Sequence, residues 1–594
     1  MSGRPIELQR RHRLAKLIGA LALAVTIVVL TVAPASAHAV LLSSSPSAAS
    51  VVRDSPKQLE LTFGESVEIS FDSIEVFNQQ ANRVDIGSPH HAKTSDRSVE
   101  ADLPHLDNGA YVVTWRVISA DSHPVHGAFT FIVGSSSANA ERLAAKLEAA
   151  GGGSKTVGVV FAIARATLFA GIALLLGAVV FAAAIRPPGR RRSRADALVW
   201  IGWGVLFVST VLALLLQGPY AGALPLSKMI DIKIAREVLH TRYGHLAEIR
   251  LALLLAALPL LFRLRKSWRA PPWWWALAIP LGLAIAATPG LAGHAFTGTF
   301  TQFAIPADTL HVAAMSIWLG GLAALALTVL DHDPDAGRAA ARFSPVALGS
   351  VLVLVATGVF ASWRQVGFTV DAFTHTTYGR LLLVKVGTFV VLLGIAAWSR
   401  RIVRARRPAT LSAMAVDTAS ASAASASTAP ADPEVRHLRW SVGGELVFGI
   451  AVLVITAMLV NSQPARSALT IPYSKEFREP TMSIDLIVAP AKAGPVDIHV
   501  YTLSPSGGNL FTPGVTAEMS LPSKGIAPLT IPLIRAGPNH FLACSGPVSQ
   551  SSLTSAVTCS HKFSVPFAGK WLIVVRALRN EFDEVAIQTT VDIR

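Results

Sequence analysis

From Val157 to Ile185 the chain reads VGVVFAIARATLFAGIALLLGAVVFAAAI, an apolar run whose one charge is Arg165. A helix needs about 20 consecutive apolar residues to cross the hydrocarbon core of a bilayer, and this run is long enough. Seven more follow, at 197–217, 247–264, 273–291, 308–330, 345–363, 379–399 and 441–460; the third is short and carries Arg250. Together they predict a multidomain membrane protein whose residues 157–464 form an eight-helix α transmembrane bundle. Composition agrees: 52% of the 594 residues are hydrophobic and 15% charged, a balance that points to lipid contact over much of the length.

The distribution of charge decides what the formal +15 means. Much of it sits in short clusters between apolar runs, Arg190-Arg191-Arg192 and Arg400-Arg401 among them. No recognition motif accompanies these residues, which argues against a nucleic-acid partner. Loops 186–196, 263–272 and 400–440 are rich in Arg, and 331–344 adds Arg338 and Arg342. Loop 292–307 has no Lys or Arg, and 364–378 has Arg364 alone. That alternation follows the positive-inside rule and places both flanking segments outside a plasma (inner) membrane. Loop 218–246 is the exception, because it should lie outside yet carries Lys228, Lys233, Arg236 and Arg242.

The flanks have their own signatures. Arg10, Arg11, Arg13 and Lys16 precede an apolar stretch, Leu17 to Val32, and then Ala35-Ser36-Ala37. This order predicts a signal peptide over 1–37, with cleavage leaving His38 as the first residue. Residues 38–134 carry short alternating runs such as Leu59–Phe63, Ser73–Phe77, Tyr111–Ser119 and Ala128–Val133, expected of a β-sandwich or barrel. A linker spans 135–156, helical over Ala138–Ala150 and hinged at Gly151-Gly152-Gly153-Ser154. Residues 409–431, largely Ala, Ser and Thr, read as a disordered cytoplasmic linker. Strand-type runs return from 468 to 594 and predict a second, extracytoplasmic β-sandwich. Its Cys544 and Cys559 are the only cysteines and are candidates for a disulfide, whereas the CxxC-type spacing of a zinc site is missing. No metal-ligand cluster stands out in that segment.

Asp121-Ser122-His123 follows one strand-like run and precedes another. In an extended stretch Asp121 and His123 face the same side, because side chains alternate with period two. Pro124 and Gly127 should disturb that register and send His126 elsewhere. A free His38 would offer its α-amine and imidazole as a chelating pair. Adding the Asp121 oxygen and a His123 nitrogen completes a tetragonal N/O set suited to Cu(II). No Met lies between His38 and Gly134, so soft Cu(I) is poorly served there.

Residues 38–134 resemble the CopC family of periplasmic copper-binding proteins. The resemblance rests on His38-Ala39 directly after the signal site, Ser45-Pro46, Leu61-Thr62-Phe63, and the stretch from Trp115 to Val125. It implies a Greek-key β-barrel or sandwich of cupredoxin-like type, with His38, Asp121 and His123 as the Cu(II) ligands. Family members often carry Gly and Ser where this chain has Ser122 and His126, so His126 is read as a neighbour of the site. Glu65 is read as a solvated acid, and His90, His91 and His105 as exposed loop residues.

Ionisable or ligating side chains inside a membrane are functional candidates, because placing them in lipid is costly. Asp308, His311, Met315 and Trp318 fall on one helical stripe. With the fifth helix starting at about Asp308, His311 and His294 lie on the outer side. Imidazole with thioether suits copper, and Met315 favours Cu(I), so His294, His311 and Met315 are the candidate membrane copper path. Arg165, Arg250, Arg380 and Lys385 are read as snorkelling or helix-pairing residues. Residues 160–460 resemble the CopD family of copper-related membrane proteins. The matching pieces are Gly293-His294-Ala295, Leu310-His311 with Trp318 to Leu322, Arg342 to Pro345, Thr377 to Arg380, and Leu383-Val384-Lys385. Fused CopC–CopD chains form a class, and the resemblance implies copper import, with copper ions and the lipid bilayer as partners. No Walker or DKTG motif supports an ATP-driven pump. The expected role is copper homeostasis without enzymatic activity. The rivals are copper sequestration without transport, and a haem-bearing electron-transfer protein with membrane histidines as axial ligands.

Overall fold

Gln58–Phe63 alternates strictly, burying Leu59, Leu61 and Phe63 completely while Gln58 and Glu60 face outward. Such a period of two builds a sheet with one face in a core. The computed structural model describes residues 41–593 except for breaks, of which 135–142, 186–193, 331–335, 406–432, 466–472 and 551–556 are the longest. The expected signal peptide over 1–37, His38 and the expected linker over 409–431 lie outside the described residues.

The N-terminal part is a sandwich of two sheets. One orders β1 (Leu41–Ser45), β3 (Gln58–Phe63), β8 (Ser95–Asp102) and β7 (His90–Ala92) as β1-β3-β8-β7. The other runs β2 (Val51–Val52), β10 (Pro124–Val133), β9 (Gly109–Ser119), β5 (Ile74–Asn78) and β6 (Arg83–Val84), with β4 (Val67–Glu68) also pairing β9. Between the sheets Trp115 meets Phe63 edge to face at 5.2 Å. Gly127 stands opposite Trp115, and a Cβ there would lie 2.6 Å from the indole, so a side chain at 127 would displace the core tryptophan. The connector after β10 is not free: Ala144, Leu143 and Leu147 pack on Ala110, Val112 and Ile132, covering the other face of β9 and β10.

The central part is helical: α1 (Lys155–Val180, continued by a π-turn Phe181–Ile185), α2 (Arg194–Ala221), α3 (Ile232–Leu239), α4 (Arg242–Lys266), α5 (Pro272–Leu291), α6 (Thr301–Leu330), α7 (Ala336–Val366), α8 (Val370–Thr374), α9 (Thr377–Ala405) and α10 (Pro433–Val460). Eight of these, among the described residues, are long and apolar enough to cross a membrane. α6 begins at Thr301, seven residues before the start expected from hydropathy, because Pro306 is tolerated within its early turns. The basic residues that break the loop alternation sit on and around α3, where Lys228 pairs with its N-cap Asp231 at 3.0 Å. Ile230 and Ile232 beside them are 77% and 68% exposed.

Small residues set the closest helix crossing. A Cβ on Gly320 of α6 would stand 1.9 Å from the Ala173 carbonyl oxygen of α1, and one on Gly177 would stand 2.3 Å from that of Ser316. In lipid, where burial alone does not drive helices together, such close backbone approach supplies the packing. Two of the arginines, Arg165 and Arg250, bond across helices. Arg165 of α1 donates to Asn461 just past α10 at 2.9 Å, and buried Arg250 of α4 donates to Thr288 of α5 at 2.7 Å.

The C-terminal part is a second sandwich. Its first sheet orders β11 (Tyr473–Arg478), β12 (Ser483–Ala489), β13 (Gly494–Leu503), β17 (His540–Ala543) and β16 (Leu533–Arg535), with β20 (Phe563–Val565) also on β13. The second orders β15 (Ile526–Ile531), β14 (Val515–Leu521), β21 (Gly569–Leu578) and β22 (Glu584–Ile593). The pair β18 (Val548–Gln550) and β19 (Val557–Cys559) stands apart from both. Trp571, Met482 and Ile498 are among its fully packed core residues. Cys544 is disulfide-bonded, and Cys559 is the chain's one other cysteine.

Candidate metal centre

β9 ends at Ser119 and β10 begins at Pro124, so Ala120 to His123 form the turn between them. Ser119 N–H donates to the His123 carbonyl and Ser122 N–H to that of Ser119, both at 2.8 Å. Ser122 takes φ +68°, the left-handed region where glycine is at ease. The extended geometry expected for Asp121 and His123 is therefore corrected to a turn. The expected loss of register is corrected too, since β10 pairs with β9 without a bulge through Gly127 and beyond.

The turn nevertheless brings the pair together. Asp121 Oδ1 lies 3.2 Å from His123 Nδ1 and accepts from the His123 backbone N–H at 3.4 Å. The Ser119 hydroxyl donates to the same oxygen. Asp121 is fully buried and His123 is 3% exposed. A carboxylate taken out of water is costly unless a cation or strong donors face it. One carboxylate oxygen and one imidazole nitrogen, held at this separation by a tight turn, can take adjacent positions around one cation.

His126 stands in register with Arg116 on β10, one residue past core Val125. By strand alternation it leaves the face that Val125 occupies. Burial, with the Arg116 charge adding to it, holds its imidazole below the usual histidine range. Glu65 is half-buried, two residues before β4, whose Val67 pairs with Ser119 at the root of the turn. His90 and His91 belong to β7, not to a loop; His90 and His105 are exposed and His91 is half-buried.

Within the helical part a cavity of about 670 Å³ opens between α5, α6, α7, α9 and α10, and His294, Asp308, His311 and Met315 all line it. His311 Nδ1 hydrogen-bonds the Thr357 hydroxyl of α7 at 2.8 Å. The Asp308 carboxylate passes so close to Gly290 that a Cβ there would stand 2.2 Å from its oxygen. Arg364 of α7 donates to the carbonyls of His294 and of Thr297, fixing the turn after α5. The stripe predicted on one helix is thus one wall of a chamber. Thr357 and Arg364 carried no signal as its partners in sequence, being 46 and 70 residues away from the groups they hold. Lys385 and Tyr378 also line the chamber; both stood in the quoted motifs without a site role.

Residues 41–134 match the CopC domain, 155–302 the N-terminal domain of copper resistance protein D-like proteins, and 337–459 copper resistance protein D. The chain belongs to the CopC–CopD copper resistance family. It is 28% identical over 575 residues to "Copper transport protein CutJ" of Bacillus subtilis (strain 168), covering 93% of this chain and 95% of that protein. It is 32% identical over 106 residues to "Copper resistance protein C" of Escherichia coli, covering 17% of this chain and 83% of that protein. The crystal structure of CopC from Methylosinus trichosporium OB3b is 38% identical, with a TM-score of 0.16, covering 16% of this chain and 93% of that one. The buried Asp121–His123 turn lies inside the CopC segment. The chamber is shared by the two CopD-type segments and by α6, most of which falls between them.

Proposed function

We propose that this CopC–CopD protein captures Cu(II) outside the plasma (inner) membrane and passes copper inward through its helical bundle. His38, Asp121 and His123 are the Cu(II) ligands, and His294, His311 and Met315 form the membrane path. The carrying observation is the Asp121–His123 pair, a fully buried carboxylate oxygen 3.2 Å from an imidazole nitrogen within the CopC segment. A buried carboxylate oxygen beside an imidazole nitrogen suits a cation, and the free amine and imidazole of His38 would complete a tetragonal set. The charge alternation of the loops, loop 218–246 excepted, supports an outer position for both terminal sandwiches.

The membrane chamber supports passage, as opposed to sequestration alone. Imidazole and thioether are good copper ligands, and lining a cavity keeps them out of lipid. The matching families are copper resistance families, not families of enzymes.

Isotopic copper accumulation by cells with and without the protein tests the direction. Cells making the protein should accumulate more copper, and equal internal copper would remove import. His311→Leu should lower the accumulated copper by about tenfold or more while Cu(II) binding at the N-terminal domain stays unchanged. Equal uptake by that variant would take His311 out of the path. An absorption spectrum with a Soret band would favour the haem reading instead.

A further inference from the structure

The C-terminal sandwich holds a pair of histidines that neither spacing nor motif announced. β13 sends Val496, Ile498 and Val500 into the core, so Asp497, His499 and Tyr501 take the opposite face. β17 pairs with it so that Tyr501 stands opposite His540 and His499 opposite Leu542. His499 and His540 are therefore diagonal neighbours on one face, within reach of long side chains. Their rings meet: His499 Nδ1 lies 2.9 Å from His540 Nε2. Tyr501 stacks on His540 with centroids 4.3 Å apart and planes 11° from parallel, which fixes the ring plane. Both imidazoles are half-buried, so solvent reaches them.

The separation has a chemical meaning. Two imidazole nitrogens bound at about 2.0 Å stand about 2.8 Å apart when they occupy adjacent corners at a right angle, and about 4 Å apart when they face each other across the metal. The observed 2.9 Å fits the first arrangement, the cis positions of a tetragonal ion, and not the linear one that two-coordinate Cu(I) would take. Without metal, one ring donates its N–H to the other. A tautomer shift moves that proton to the far nitrogen of the same ring, so both lone pairs become available with no net proton release. Carboxylates flank the pair on the same face. Asp485 stands opposite Tyr501, and Asp497, held by Lys562 at 2.5 Å, sits two residues from His499. The Asp485 carboxylate on the same face, beside two nitrogen donors, favours a cation.

We propose that His499 and His540 form a second copper site, a cis bis-imidazole centre for Cu(II) on the outer face of the C-terminal sandwich. Among divalent first-row ions a nitrogen pair binds Cu(II) most strongly, and water fills the remaining positions. The site is independent of the N-terminal one and gives the C-terminal sandwich a role in holding the copper that the rest of the chain handles.

The test uses the full chain in detergent, carrying Asp121→Ala and His123→Ala so that the N-terminal centre is disabled. Cu(II) is titrated with and without His540→Phe, which keeps an aromatic ring stacked on Tyr501, and electron paramagnetic resonance counts the bound ion. The expected result is the loss of one Cu(II) equivalent and of its nitrogen hyperfine pattern, while copper in the membrane chamber is common to both samples. His499→Gln serves as the second variant. Its amide N–H still donates to His540 Nε2, so a purely structural pair would survive, whereas the Cu(II) equivalent should again be lost. Equal Cu(II) equivalents and an unchanged spectrum in both variants would overturn the proposal, and that result leaves the N-terminal centre untouched because it is absent from every sample.

Discussion

Replacing Asp121 or His123 by alanine should weaken the tightest Cu(II) site of the full chain by at least about a hundredfold. Loss of an outer partner of a metal ligand typically costs 10–100-fold in affinity, so loss of the ligand itself should exceed that range. The two variants should differ in stability. Asp121 accepts from the Ser119 hydroxyl and the His123 backbone, so its removal also loosens the turn, by about 1–3 kcal/mol if those donors stay buried and unanswered. His123→Ala leaves those two bonds in place. Asp121→Asn separates charge from shape: it keeps an acceptor for both donors and should still bind Cu(II) poorly. Acetylating the amine of mature His38 should have an effect of the same order, since the amine is the fourth donor of the set. Competitive titration against a chelator of known affinity reads all four proteins. Wild-type affinity in Asp121→Asn, or in the acetylated protein, would dismantle the proposed ligand set.

The second large effect is expected where α1 crosses α6. Gly320→Val should lower the thermal unfolding midpoint of the detergent-solubilised protein steeply and reduce its folded yield. Even the first carbon of a side chain at 320 would stand 1.9 Å from the Ala173 carbonyl oxygen, and Gly177 on the facing helix is as confined. Neither obstacle is the flexible end of a side chain, so the helices themselves must separate. Overpacking typically costs about 1–3 kcal/mol, and a branched side chain against rigid backbone belongs at or above the top of that range. α6 carries His311 on the same helix, so its displacement should also reduce copper accumulation. Gly387→Ala on α9 is the control: nothing lies within 4 Å of a Cβ there, and unfolding should shift little or rise. Matching midpoints for Gly320→Val and Gly387→Ala would show that the crossing does not depend on glycine.

Hydrophobic patterning alone determined the architecture. Runs such as 157–185 have one physical solution in lipid, a helix that satisfies its own backbone, and alternation such as that of Leu59, Leu61 and Phe63 has one solution in water, a strand with a buried face. The residue types and close spacing of Asp121 and His123, and the stripe of Asp308, His311 and Met315, were legible for the same reason: neighbours in sequence stay neighbours under any local geometry. Tertiary structure decided everything that joins distant segments. It turned the Asp121–His123 stretch into a tight turn, placed Thr357 on His311, and threaded Arg364 to the carbonyl of His294. It also drew His499 against His540, 41 residues away, through the register of two strands. No local pattern encodes a pairing register or a helix crossing, because both are set by how whole faces fit against one another.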